Sequence, residues 1–506
     1  MNEVSQIDDL ITPTPWSFIF TMLFYFAILA VIGYVAAKKT KNMKEFLVMG
    51  GKAGAIVSGI AYFATQYSMS TFMGAPAVGY REGFAAMSIS IPGVAFSMII
   101  PALFVGRKLM QLSKKNNFLT MTDYLADRYQ SNAVRVVHAV IMVLFLVAMM
   151  GAQMLACGVI VKTFTGAPEW VGIIVMGAVV IAYCMFGGMR GAMLTDVLQG
   201  GLMVLTAVVT FFVSIRSGGG LEAITSELAQ KAPDHLTHPG AGGSYGLGVY
   251  ISMILLWSFF SIGQPTLFTK FFTMKNYSVM FKGIILGTLG MMIAATMIEW
   301  SGVNAYFSIP GLGKHADFVV PIMLQQNLSP IVASIMIAGI VSAGMSTISG
   351  LMIVSAGGIS RDIYQKLINP GASDRTILTL SRVVTVIVGV IGIGIGIYEP
   401  SSIFELVRFA FGGLGIWAVA VLLGMYWKRA TATGVLSGIF IGEILYCTLK
   451  WKWAWNGGKT LDGTIWALGL DSMVASWLLG MVIAIIVSYM TQPPSKDVID
   501  RHFNFA

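Results

Sequence analysis

Apolar stretches long enough to cross a bilayer recur from Trp16 almost to the C-terminus, and this repetition decides the fold class before any motif is read. A helical crossing takes about 20 mostly apolar residues. Lipid satisfies no backbone hydrogen bond, so each stretch must close its own bonds as a helix. Thirteen spans are predicted, at 16–36, 53–75, 83–106, 133–161, 169–187, 189–214, 248–270, 279–301, 329–357, 376–398, 402–426, 431–449 and 471–491. Only Gly187 and Gly188 divide the fifth from the sixth. Of the 506 residues 56% are hydrophobic and 11% charged, where about a quarter of an ordinary soluble domain is charged. The chain therefore reads as an all-α polytopic membrane protein, one domain over 1–506, with the lipid bilayer as its solvent.

The net charge of +9 does not point to nucleic acid, because the basic residues punctuate the loops rather than cluster on a soluble domain. One side collects Lys38, Lys39, Lys41, Lys44, Lys52, Arg107, Lys108, Lys114, Lys115 and Arg128, then Lys270, Lys275, Lys282, Arg361 and Lys366. The other has few, among them Arg81, Lys162, Lys231 and Lys314. The positive-inside rule places the N-terminus outside and the C-terminus in the cytoplasm, as an odd number of spans requires. The cell membrane is the expected location. The acidic N-terminal stretch with Glu3, Asp8 and Asp9 does not read as a secretory signal. The long outer loop, 215–247, divides the chain near its middle. Spans two to six (53–214) and seven to eleven (248–426) form two units of five, and an odd number of helices inverts the second. The last two spans and a short tail, 427–506, follow. A semi-apolar outer segment from Lys314 to Ser329 is expected to form a short helix at the mouth.

Two polar runs interrupt apolar spans: Ala64-Thr65-Gln66-Tyr67-Ser68-Met69-Ser70-Thr71 and Ser342-Ala343-Gly344-Met345-Ser346-Thr347-Ile348-Ser349. Hydrocarbon cannot satisfy such groups, so they face a protein-lined cavity, bind something or bond locally. Neutral oxygens without a carboxylate cluster suit a hard, singly charged cation. In the first, Ala64 to Ser70 is a poor helical stretch followed by Gly74-Ala75-Pro76, and a helix broken there would free carbonyls. In the second, Ser346 and Thr347 are adjacent hydroxyls, with Ala343 one turn earlier. The alternative is that these hydroxyls back-bond to their own turn or mediate small-residue packing. Asp196 lies inside the sixth span, where a carboxylate is costly; it either serves ion movement or pairs with Arg190. Arg408 lies inside the eleventh span and either pairs with Glu405 or snorkels, or else acts at an outer gate or on an anionic solute. The histidines form no metal-spaced pair, no carboxylate dyad or nucleophile elbow is present, and Cys157, Cys184 and Cys447 lack ligand spacing, so an enzyme is not expected.

The ordered motifs are Phe72-Met73-Gly74-Ala75-Pro76, Thr122-Asp123-Tyr124-Leu125-Ala126-Asp127-Arg128-Tyr129, Phe186-Gly187-Gly188-Met189-Arg190, Thr195-Asp196-Val197-Leu198-Gln199-Gly200, Gly263-Gln264-Pro265, Met345-Ser346-Thr347 and Ser360-Arg361-Asp362-Ile363-Tyr364. In this set the chain resembles the sodium:solute symporter family, which includes bacterial pantothenate and proline permeases and sodium–glucose cotransporters. The resemblance implies a LeuT-like 5+5 inverted repeat with one helix before it and two after, and sodium as coupling ion. It places a sodium site at the carbonyls of Ala64, Tyr67 and Ala343 and the hydroxyls of Ser346 and Thr347. Asp196 would lie on the inner release route or, with Ser349, at a second sodium site. Gly350, where members with that second site carry a hydroxyl, departs from their pattern.

Similarity to the proline permease puts Trp257, Gln264 and Pro265 beside the solute, with Phe411 facing them. Gln66 and Ser261 stand where that permease has a carboxylate and a tyrosine. Ser68 is a further solute-contact candidate in the first polar run. The expectation is a sodium-coupled importer of a small organic solute, carboxylate-bearing and pantothenate- or proline-like, working by alternating access. A sodium symporter for a sugar or other neutral solute, or a transport-deficient solute sensor, is the alternative.

Overall fold

The computed structural model describes residues 8–40, 42–455 and 470–504, so Glu3 and Lys41 lie outside the described residues. Among those described the protein is helical, and its one β feature is an isolated bridge between Ala53 and Met274. Ten helices are long and apolar enough to cross a membrane, from Pro15–Ala37 to Ser472–Met490. The bent pair Leu247–Gly263 and Pro265–Thr273 makes an eleventh span, and the shorter apolar helices Ala55–Gln66 and Glu169–Met185 stand at the predicted second and fifth. The third span is longer than predicted, continuing to Asn116. The fifth and sixth run on as one kinked helix, Glu169–Ser217, bent at Gly188, whose φ of 54° suits only a residue without a side chain. The short helix expected at the mouth forms at Val319–Asn327.

Two spans are broken, each for a legible reason. The second runs as Ala55–Gln66, turns extended at Tyr67 (φ −100°, ψ 111°), and resumes through a wide turn, Ser70–Gly74, into Ala75–Glu82. Pro76 has no N–H for the preceding turn and its ring crowds the carbonyl four residues back, which widens that turn. The seventh bends by 54° at its break. Pro265 opens the second piece, where its missing N–H is harmless, and forces Gln264 into the extended region (ψ 114°).

The unbroken eighth span, Tyr277–Asn304, lies against both pieces of the second. Glycines let the backbones touch. A Cβ on Gly59 would sit 2.5 Å from the Gly283 carbonyl oxygen, and one on Gly287 2.7 Å from that of Gly59. A Cβ on Gly302 would collide with the Pro76 carbonyl.

The inner-loop motifs tie elements together. Arg128 is fully buried and donates to the carbonyls of Gly424 (2.8 Å), Trp427 (3.0 Å) and Ala430 (3.4 Å), capping the end of the eleventh span. Asp123 accepts from Arg361 and, at 3.2 Å, from Arg135. Burial pushes the Asp123 carboxyl up, but Arg361, the Leu119 amide and Arg135 outweigh it and hold it below the usual carboxylate range.

Candidate functional site

The break in the second span leaves carbonyls without helical partners, and the ninth span, Pro330–Ile368, presents hydroxyls to them. Ser346 Oγ lies 2.9 Å from the Ala64 carbonyl and 3.0 Å from that of Ala343, and donates its single proton to one of them at a time. Thr347 Oγ1 donates to the Tyr67 carbonyl at 3.4 Å. All five residues are buried. The structure thus brings together the oxygens that the resemblance assigns to sodium: three carbonyls and two hydroxyls, without a carboxylate. When a hydroxyl turns its proton away, its lone pairs join the carbonyl it had bonded, a donor set that fits a hard monovalent cation.

Neighbouring groups keep the break open. Gln153, from the fourth span, accepts from the Met69 N–H at 2.9 Å. Ser68 and Ser70 bond each other at 2.8 Å, and Thr65 bonds back to Ala61 at 2.7 Å. The back-bonding alternative therefore holds for Thr65, whereas Ser346 reaches both Ala343 in its own turn and Ala64 on another helix.

A central cavity adjoins the break. Four of the predicted solute contacts line it: Gln66, Ser68, Trp257 and Phe411. The rings of Trp257 and Phe411 meet edge to face, with centroids 5.0 Å apart. Ser261, Gln264 and Pro265 do not line it. Ser261 bonds its own turn at Ser258 (2.6 Å), Gln264 is buried, and Pro265 borders a separate small cavity with Thr120, Thr269 and Asp362. Sequence reasoning missed Glu299, the one carboxyl side chain among the described residues of the cavity wall. Its signal is an acid one turn inside the end of an apolar span. Among the lining residues none is Lys, Arg or His.

Asp196 is buried and pairs with Lys270, Nζ to Oδ2 at 3.0 Å. This corrects two expectations. Arg190 does not pair with Asp196; it turns to Glu45 at 2.5 Å, since the kink at Gly188 sets it beside the helix Met43–Val48. Lys270 is no loop charge either: it is 2% exposed, drawn inward on the helix Pro265–Thr273 among Leu267, Phe268, Phe271 and Phe272. Ser349, the other residue of the expected second site, donates to the Ser346 carbonyl at 2.9 Å.

Arg408 pairs with Glu405 at 3.2 Å, as one reading anticipated, and also with Asp471, whose carboxylate accepts from Lys450 at 3.2 Å. The cluster ties the eleventh, twelfth and thirteenth spans together. Arg408 is not among the residues that line the cavity.

A bundle of apolar spans in which two interrupted helices meet beside a central cavity defines a membrane transporter. The family model for the sodium:solute symporter family matches residues 46–442, and the chain belongs to that family. It is 28% identical over 490 residues to a sodium/pantothenate symporter of Escherichia coli, covering 95% of this chain and 98% of that one. With the osmoregulated proline transporter OpuE of Bacillus subtilis it shares 25% over 479 residues, 93% of this chain and 94% of the other. A solved Na+-coupled sialic acid symporter in an outward-open state superposes with a TM-score of 0.78 at 18% identity, over 95% of this chain and 99% of that one. An inward-facing structure of Mhp1 gives 0.56 at 11%, over 90% and 95%. These neighbours share the fold, which is the LeuT-like one expected. The protein is a multi-pass membrane transporter and not an enzyme.

Proposed function

We propose that the protein imports a small zwitterionic solute, amino-acid-like in bearing an ammonium beside its carboxylate, in symport with sodium. Sodium binds the Ala64, Tyr67 and Ala343 carbonyls with the Ser346 and Thr347 hydroxyls, and the solute binds between Gln66, Ser68, Trp257 and Phe411. With the N-terminus outside and the C-terminus in the cytoplasm, sodium enters from the external side and leaves past Asp196. Binding of both substrates favours closure on the outside, and rocking of one helix bundle against the other opens the inside.

The observation that carries this reading is the reach of Ser346 and Thr347 to carbonyls freed by the broken second span, beside a cavity. The cavity's chemistry supports the solute class. Among the described residues of its wall a bare monoanion finds no cationic side chain, whereas an ammonium finds the Glu299 carboxyl. Energetics point the same way. One sodium crossing 100 mV supplies about 2.3 kcal/mol and a tenfold gradient about 1.4, enough to concentrate a net-neutral solute several hundredfold. A monoanion moving with one sodium cancels the voltage term and reaches only about tenfold. These arguments favour a proline-like over a pantothenate-like solute.

The test is uptake of labelled proline and pantothenate by reconstituted liposomes, with and without an inward sodium gradient. Sodium-driven proline accumulation, with KM raised about tenfold or more in Glu299→Gln, is expected. Accumulation of pantothenate instead would reject the zwitterion, and indifference of both to sodium would reject the symport.

A further inference from the structure

We propose that Lys270 is a built-in cation that takes the place of a second sodium at Asp196, so that each cycle carries one sodium. The inference rests on the symport reading above, and goes beyond it in fixing the ion count and the residue that sets it.

The Asp196 carboxylate is fully buried, and a buried carboxylate needs a positive partner. In principle that partner is a free cation or a side chain. Here Lys270 Nζ donates to Oδ2 at 3.0 Å, with side-chain exposures of 2% and 1%. The charges cancel. Sodium added on top of the pair would sit beside the ammonium, and like charges at that range repel. The nearest alternative cation in sequence, Arg190, is held by Glu45.

Side-chain oxygens beside the carboxylate are few. Ser349 donates to the Ser346 carbonyl at 2.9 Å and offers its lone pairs as one oxygen. Position 350 is a glycine, and a Cβ built there would meet nothing within 4 Å, so no side-chain oxygen fills that space. Asp196 Oδ1 has no hydrogen-bond partner among the described residues. An ammonium is satisfied by few acceptors, and with Lys270 in place the carboxylate is engaged by it; without that ammonium a sodium ion would draw on the same carboxylate, the Ser349 oxygen and water.

The pair also joins two elements. Asp196 belongs to the sixth span and Lys270 to the far piece of the broken seventh, Pro265–Thr273. A tethered ammonium occupies this position at any sodium concentration and is never released to the cytoplasm. It therefore neutralises Asp196 without drawing on the sodium gradient.

The experiment counts radiolabelled sodium bound at saturation to the purified full-length protein in detergent. The wild type is expected to bind one sodium per chain with a Hill slope of one. Lys270→Met, which strips the charge and leaves Asp196, is expected to bind two. Lys270→Arg, and the double variant Asp196→Asn with Lys270→Met, are expected to bind one. Two sodium ions on the wild type would overturn the proposal and leave the symport reading standing. So would a single sodium on a monodisperse Lys270→Met. No sodium on the wild type would overturn both. If Lys270→Met does not fold, the wild-type count still decides between one and two.

Discussion

Replacing Ser346 with alanine removes one of the two hydroxyls aimed at the broken second span. Two effects compete. A hydroxyl bound to a charged partner contributes about 1.5–3 kcal/mol, and the ion-bound state loses that. The ion-free state loses a neutral bond, the donation to Ala64 or Ala343 at 2.9–3.0 Å, worth about 0.5–1.5 kcal/mol. The difference, about 1–2 kcal/mol, raises the half-saturating sodium concentration about 5- to 30-fold. In Thr347→Ala the ion-free loss is smaller, because its contact with Tyr67 is 3.4 Å long. That variant should fall at the upper end of the range. Ser349→Ala, whose hydroxyl serves its own helix, should stay within about twofold. Radiolabelled sodium binding to purified protein measures all three without any assumption about the solute. An unchanged half-saturation in Ser346→Ala, with Ser349→Ala shifted instead, would refute the site.

Arg128→Lys should lower thermal stability by about 2–4 kcal/mol, because one ammonium cannot follow the guanidinium fork to the Gly424, Trp427 and Ala430 carbonyls. An unchanged unfolding midpoint in detergent would show that these bonds contribute little. At the mouth, burial raises the Asp317 carboxyl from 3.8 to about 6, with Arg81 pulling it partly back and Glu399 and Glu169 adding to the rise. The docked state then binds more protons than the undocked one, so docking weakens as pH rises from about 4 to about 6 and levels off above. Hydrogen exchange over residues 313–327, corrected for intrinsic rates, should therefore quicken across that window. Asp317→Asn should flatten the response, and a wild-type profile already flat would contradict the assignment.

The spans were legible because lipid leaves a chain few options, and the break in the second span announced itself through a polar run followed by Gly74-Ala75-Pro76. Ser346 and Thr347 could be singled out because adjacent hydroxyls in an apolar helix need a reason. Partnerships between distant elements were not legible. Whether a lysine near the end of a span faces solvent or turns inward depends on what packs beside it, so Lys270 read as a loop charge, and Asp196 read as either serving ion movement or pairing with Arg190. Gln153 gave no sign that it would accept the Met69 N–H, since that bond joins residues far apart in sequence. The solute contacts divided for a geometric reason. Those on the seventh span rest on resemblance, and that span bends by 54° before Pro265, so residues at and beyond the bend leave the face that Trp257 shares.

The backbone seam along the eighth span has a consequence for how the protein handles its ion. Gly59 on one piece of the broken helix and Pro76 on the other are both pressed against the same straight rod, through Gly283, Gly287 and Gly302. The rod acts as a splint. Both pieces are thus held close against one straight helix, which opposes their rejoining as a continuous helix. In the proposed symport, sodium would then meet carbonyls already unwound, and its binding energy would go into biasing the bundle rather than melting a turn.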